Sequence, residues 1–192
     1  MLARRVTPFL VLGAFAWGVA LAAAQTAAQK PAADPAAKLA HGRYLVQIMG
    51  CGDCHTPGSF YGAHDAGRAL SGSEMGWRGP WGVRYAANLT PDLDTGLGYW
   101  SASELAKTLR TGVRPDGTKI GAPMPIENIM QMTQADAEAV AAYLQSLKPV
   151  KHAVPAALLP GVEPKGPVLE FPPPAAWDAP KSPPGAPGEP KK

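Results

Sequence analysis

Apolar residues recur at helical spacing in three stretches of this chain, and regular spacing disappears between them. In the first stretch, Leu39, Gly42, Leu45, Val46 and Met49 share one broad face. The spacing predicts a helix from about Ala36 to Met49. Asp34-Pro35 supplies its start, because Asp accepts free N–H groups and Pro suits the first helical position. Gly50 ends it. The second stretch opens with Ser101-Ala102-Ser103-Glu104, a capping box, and predicts a short helix to about Arg110 with Leu105 and Leu109 on its buried face. The third begins at Thr133, with Asp136 in its first turn. It carries Ala137, Val140, Ala141, Leu144 and Leu147 as an apolar stripe, and Pro149 stops it.

Between these helices the pattern is irregular. Residues 56–98 are rich in Gly and Pro, with Trp77, Trp81 and Tyr85 among them. A loop of this length inside a compact domain needs a reason, and wrapping a flat cofactor is a sufficient one. Pro115-Asp116-Gly117 predicts a turn, and residues 120–132 are again without period. Beyond Lys148 the composition changes: 13 of the 22 prolines fall in residues 149–192, which predicts an extended tail without a packed core. Such a tail is either a disordered end or a semi-rigid arm lying along a partner.

The N-terminus reads as a secretory signal. Arg4 and Arg5 precede an uncharged, mostly apolar run from Phe9 to Ala24, and Ala22-Ala23-Ala24 offers a small-residue cleavage site before Gln25. Ala28 is a second end point. The run is about 16 residues, shorter than the ~20 that span a bilayer, so cleavage is favoured over an uncleaved anchor. The charge balance of 18 Lys+Arg against 15 Asp+Glu shows no basic stripe and argues against a nucleic-acid partner.

Candidate chemistry centres on Cys51-Gly52-Asp53-Cys54-His55. Two thiols two residues apart, followed at once by a histidine, form the attachment pattern of a c-type haem. Each sulfur adds across one porphyrin vinyl group, and the adjacent imidazole falls where it can bind iron. The chain has only two cysteines, both in this motif, so a second CxxC for a zinc site is missing. Around it there is no βαβ pattern of a thioredoxin-like redox pair. Export suits the motif, because such haem is attached outside the cytoplasm.

A second axial ligand must come from far along the chain. Met49 is too close to the motif and Met75 is early. Met124, Met130 and Met132 are late enough. Met124 stands out because Pro123 and Pro125 stiffen its loop, whereas Met130 and Met132 lead into the last helix and suit core packing. A bis-histidine haem using His64 is the alternative. Tyr85, Asn88, Thr90 and Trp100 are candidate polar partners for the haem propionates, with simple core packing the competing role for the aromatics. Asp92-Leu93-Asp94 starts like a calcium loop. However, Leu97 stands where its glycine belongs and Ser103 where its closing glutamate belongs.

Further segments narrow the reading. Gly42-Arg43-Tyr44-Leu45, Cys51 to Pro57, Tyr85-Ala86-Ala87-Asn88-Leu89-Thr90-Pro91-Asp92, Thr95 to Ser101, Arg114-Pro115-Asp116-Gly117, Pro123-Met124-Pro125 and Ala142 to Leu147 together resemble a class I cytochrome c. More narrowly, residues 41–148 resemble a single haem domain of the cytochrome c subunit of bacterial membrane-associated alcohol, gluconate and aldehyde dehydrogenases. The resemblance implies an all-α fold with haem in a cleft, first and last helices that cross with Gly42 at the close approach and Tyr143 nearby, and His55 and Met124 as axial ligands. Composition, motifs and this resemblance together divide the chain into a signal peptide (1–24), a linker (25–34), a cytochrome domain (35–150) and a Pro-rich tail (151–192).

Those subunits carry three haem domains and one is legible here. The expected protein is therefore a periplasmic monohaem electron carrier, without enzymatic chemistry of its own. It would take electrons from a dehydrogenase and pass them to a downstream cytochrome or terminal oxidase. Membrane association would come through a partner or an uncleaved N-terminal segment. The rival is a haem enzyme with an open or displaceable iron position, such as a peroxidase or a sulfur-compound oxidoreductase. A third reading is a structural or sensor subunit.

Overall fold

The structure, a computed structural model, describes residues 34–172. The expected signal peptide, nearly all of the expected linker and the last twenty residues of the tail lie outside the described residues.

Three helices form the frame. Helix α1 (Pro35–Ile48) starts where Asp34 Oδ1 accepts the Ala36 N–H at 3.0 Å, with Pro at the first helical position. Helix α2 (Cys51–His55) holds the haem motif. Helix α3 (Ala102–Thr111) opens on the complete capping box: Ser101 Oγ accepts Glu104 N–H at 3.2 Å and Glu104 Oε2 accepts Ser101 N–H at 2.8 Å. A single turn, α4 (Ile126–Ile129), interrupts the second irregular stretch and buries both isoleucines. Helix α5 (Gln134–Ser146) is capped by Thr133, whose Oγ accepts Asp136 N–H at 3.1 Å.

Helix α5 packs against both α1 and α3, and its small buried face (Ala137, Ala139, Val140, Ala141, Leu144) is what permits this. Two core clusters result. Val46, Leu70, Val140 and Leu144 form one, and Leu105, Ala106, Ala137 and Ala141 the other. At the α1–α5 crossing a Cβ on Gly42 would run into the Ala139 carbonyl and come within 2.9 Å of Tyr143 Cβ. The crossing therefore requires glycine.

The all-α expectation needs correction: the molecule is mostly helical but carries a small three-stranded sheet in the order β2–β1–β3. Strands β1 (Gly76–Gly79) and β2 (Gly82–Tyr85) form an antiparallel hairpin, and β3 (Val168–Glu170) pairs parallel to β1 with Gly76 opposite Val168. Glycine explains both the sheet and its invisibility. A Cβ on Gly76 would strike Val83, Val168 and Tyr85, so the strands close only because it is absent, yet glycine-interrupted four-residue strands leave no alternation to read.

The tail supplies β3. Residues 149–172 are extended, as expected, but run back over the chain's own domain. Val83 and Leu158 exchange backbone hydrogen bonds at 3.0 and 2.9 Å, and Phe171 packs against Trp77 and Trp81 with ring centroids 6.1 and 5.4 Å away.

Two side-chain pairs tie α1 to α5: Lys38 Nζ lies 3.5 Å from Glu138 Oε2, and His41 Nε2 lies 2.7 Å from Asp136 Oδ1. Hydrogen bonds from His41 and then Thr133 hold the Asp136 carboxyl below its ordinary value of 3.8. A carboxylate lowered on folding adds stability above its ordinary pKa, and that contribution is lost as pH falls through the lowered value. The melting temperature of the wild-type protein should therefore drop more steeply with acidification below about pH 4 than that of Asp136→Asn. Parallel slopes in a pH series of thermal melts would contradict this.

Candidate functional site

The motif helix is placed by its entry. Gly50 lies in the left-handed region at φ 65°, turning the chain from α1 straight into α2. Cys51 then packs beside the cluster of Val46, Leu70, Val140 and Leu144. Thr56, 1 % exposed, closes the other end by accepting the Leu70 N–H at 3.0 Å. Both cysteines are free thiols and half-buried. Burial pushes the Cys51 thiol up to about 11, and burial followed by the Asp53 carboxylate raises Cys54. A dithiol redox pair works through a depressed thiol pKa, so the environment of these cysteines opposes that use.

His55 is oriented from outside the motif. Its ring Nδ1–H donates to the Ala87 carbonyl at 2.7 Å, which fixes the tautomer and leaves Nε2 with its lone pair. Burial pushes this imidazole below its ordinary value, and the Ala87 bond opposes the shift only in part, so the ring is neutral near pH 7. The chain has four histidines, and the other three rings have polar neighbours. His41 contacts Asp136 at 2.7 Å. His64 Nδ1 sits 2.9 Å from Ser59 Oγ. His152 bridges Ser71 and Glu74 at 2.9 and 2.7 Å. His55 follows the two thiols directly in the motif helix, with its Nδ1 engaged and its Nε2 without a hydrogen-bond partner.

Met124 is half-buried in a loop anchored at both ends. On one side the Val113–Lys119 bridge and the Ile120 N–H to Gly112 carbonyl bond (2.8 Å) hold the chain. On the other, Ile126 N–H donates to the Met124 carbonyl at 2.7 Å, and the buried Ile126 begins α4. Among the remaining methionines, Met75 is buried and Met49 and Met132 pack against the core clusters. Met130 is partly exposed, its sulfur close to Gly112.

The four polar candidates separate. Asn88 and Thr90, each 1 % exposed, stand together but face the tail. Asn88 Nδ2 donates to the Val150 carbonyl (2.8 Å) and to Thr95 Oγ1 (3.0 Å), and Asn88 Oδ1 accepts from Thr90 N–H and Oγ1–H at 2.9 and 2.8 Å. Both amide hydrogens of Asn88 are engaged, so none is left for a propionate. Tyr85 sits half-buried on β2 over Gly76. Trp100 packs against the Leu105–Ala141 cluster, and its carbonyl accepts Gln145 Nε2–H at 2.6 Å. The calcium-like Asp92 is occupied as a turn former, with its Oδ1 accepting from Asp94 N–H, Thr95 N–H and Thr95 Oγ1. Among the described residues no group of three or more His, Cys, Asp or Glu could hold a metal ion. Ala87 is the one partner of the site that residue chemistry could not reveal, because it acts through its backbone carbonyl.

This donor set fits a covalently attached haem. Two protonated thiols are separated by two residues, a neutral imidazole has a free Nε2, and apolar side chains around them are only half-covered. Leu89, Leu97, Leu109, Trp100 and Met132 all pack against the cores while remaining partly exposed, as expected of a core that a flat apolar group completes.

Fold and motif together are consistent with a cytochrome c fold. Comparison with known proteins narrows this. The chain is 34% identical over 131 residues to the cytochrome c subunit of the quinone alcohol dehydrogenase of Gluconacetobacter polyoxogenes, covering 68% of this chain and 26% of that one. It is 30% identical over 138 residues to the fructose dehydrogenase cytochrome subunit of Gluconobacter japonicus, 71% and 27%. It is 37% identical over 133 residues to the gluconate 2-dehydrogenase cytochrome c subunit of Pantoea cypripedii, 62% and 28%. The chain thus spans little more than a quarter of the length of these curated relatives. No protein-family model matches it. What it resembles is one haem domain of the cytochrome c subunits of bacterial membrane-associated dehydrogenases.

Proposed function

We propose that this protein is an exported monohaem c-type cytochrome that accepts single electrons from a dehydrogenase and delivers them to a downstream cytochrome or terminal oxidase. The observation that carries the reading is His55, its Nδ1 tied to the Ala87 carbonyl and its Nε2 bare beside the Cys51 and Cys54 thiols. The names of the similar proteins support a dehydrogenase as electron donor. The periplasm is the proposed compartment. Among the described residues no helix is long and apolar enough to cross a membrane.

A haem held here supplies a one-electron Fe(III)/Fe(II) couple. The chain's own residues do the rest. Cys51 and Cys54 fasten the group, and His55 is the proposed axial nitrogen ligand. The Ala87 carbonyl keeps that ring from rotating and strengthens it as a donor. Met124, on its two-point anchored loop between Pro123 and Pro125, is the proposed sulfur ligand. Both ligands belong to braced segments, so little reorganises between oxidation states. Tyr85 and Trp100 remain the proposed propionate partners, while Asn88 and Thr90 shape the loop around them. His64 stays unassigned to iron, its Nδ1 lying 2.9 Å from Ser59 Oγ.

Ligand binding discriminates carrier from haem enzyme. The ferric protein should show no rapid spectral change on adding cyanide and should titrate reversibly with a one-electron slope. Fast cyanide binding would move the protein to the enzyme class.

A further inference from the structure

His55 is gripped twice by loop backbone. Its main-chain carbonyl accepts the Gly72 N–H at 2.8 Å, and its ring Nδ1–H donates to the Ala87 carbonyl at 2.7 Å. The two gripping segments, residues 70–74 and 86–95, are joined by Leu89 N–H to Leu70 carbonyl (2.8 Å) and Ser73 N–H to Ala86 carbonyl (3.0 Å). Neither belongs to a helix or to the sheet, so their rigidity must come from elsewhere.

It comes from the chain just after α5. The main-chain N–H of His152 donates to Thr95 Oγ1 at 3.0 Å, and its ring Nδ1–H to the Ser71 carbonyl at 2.9 Å, with Ser71 Oγ 3.4 Å from the same nitrogen. Its Nε2 is 2.7 Å from Glu74 Oε1. Thr95 Oγ1 also accepts from Asn88, and Val150 both accepts from Asn88 (2.8 Å) and donates its N–H to Thr90 Oγ1 (3.1 Å). One residue therefore spans both arms of the grip, at Ser71 beside Gly72 and, through Thr95 and Asn88, beside Ala87. The contacts are sheltered: Ser71 is 0 % exposed, and the His152 side chain 12 %.

We propose that His152 is a positioning residue for the axial histidine. The post-α5 strap clamps the two segments that hold His55, and so sets the strength of the Nδ1–H to carbonyl bond and, through it, the reduction potential. The inference rests on reading His55 as the iron ligand. A firm bond to Nδ1–H raises the donor strength of the opposite nitrogen and favours the oxidised state. Loosening the strap weakens that bond and favours the reduced state.

The test uses the full-length, haem-loaded protein and four variants: His152→Ala, His152→Asn, Thr95→Val and Thr95→Ser. Three quantities are measured in each: the midpoint potential, the exchange rate of the His55 Nδ1 proton in the reduced state by NMR, and the melting temperature. At the wild-type midpoint, His152→Ala and Thr95→Val should shift the oxidised-to-reduced ratio about threefold toward reduced and speed Nδ1 proton exchange by about tenfold. His152→Asn retains a donor toward Ser71, and Thr95→Ser retains the hydroxyl, so each should recover most of the shift. Should His152→Ala fail to fold, the Thr95 pair decides. Lower melting temperatures with unchanged potential and proton exchange would overturn the proposal and leave the strap a purely structural staple. A wild-type spectrum lacking histidine-ligated low-spin haem would instead overturn the ligand reading itself, and this inference with it.

Discussion

Replacing Cys51 and Cys54 together by serine should abolish the proposed haem attachment and, with it, most of the native fold. The two serines cannot form thioethers, so haem staining after denaturing electrophoresis should fall from complete to undetectable. The larger effect is on folding. Where α1, α3 and α5 meet, the core is split into two four-residue clusters, and around them Leu45, Leu89, Leu97, Leu109, Trp100 and Met132 are only partly buried. A domain this small with so divided a core is marginal without something else to pack against. In the double variant, circular dichroism should show helix content well below that of the wild type, and thermal unfolding should lose its cooperative transition. A variant that keeps wild-type helicity and cooperativity without haem would show that the polypeptide builds its own core, and the argument that the loops exist to wrap a cofactor would fall.

Gly42 carries the second large effect. A methyl group there meets the backbone carbonyl of Ala139 in addition to Tyr143 Cβ. A side chain can rotate away from such a clash, but a helical carbonyl can move only with its helix, so α1 and α5 must separate along their whole contact. Overpacking usually costs about 1–3 kcal/mol and more where backbone must shift, so Gly42→Ala should lose at least about 3 kcal/mol. Gly42→Val should not yield folded protein. Tyr143→Ala should not rescue Gly42→Ala in a double-mutant cycle, because the obstructing atom is the carbonyl. Denaturant unfolding of the three variants checks this, and full rescue by Tyr143→Ala would contradict the geometry.

How much of this was legible beforehand depended on how each feature is encoded. The helices were readable because their signals are local: Asp34 and Pro35, the Ser101–Glu104 box and Thr133 each cap within three residues of the chain. The sheet was not. Its register joins Gly76 to Val168 across more than ninety residues, and its glycines erase the alternation that marks a strand. The composition of the tail predicts either a disordered end or a partner-facing arm, because proline content reports the absence of helix, not the destination of the chain. Its destination is set by backbone groups, such as the Val150 carbonyl and Leu158 N–H, which no side-chain pattern announces.

The site divides along the same line. Cys51, Cys54 and His55 stand out because thioether chemistry demands those residue types at that spacing. The Ala87 carbonyl is silent in sequence, since any residue offers one. Asn88 and Thr90 are expected from sequence to donate to the haem propionates, but both are buried polar residues whose groups are already engaged within the protein. Their partners are Val150 and Thr95, so the same chemistry serves the loop that steadies His55.

The central claim is that one covalent haem is held between His55 and Met124 as an electron-carrying centre. Its most direct test is the absorption spectrum of the holoprotein, oxidised and reduced, for wild type and Met124→Ala. The account predicts a low-spin c-type spectrum whose oxidised form carries the weak red sulfur-to-iron band, with that band gone in Met124→Ala. A wild-type spectrum that is high-spin, or a band that survives the substitution, would contradict it.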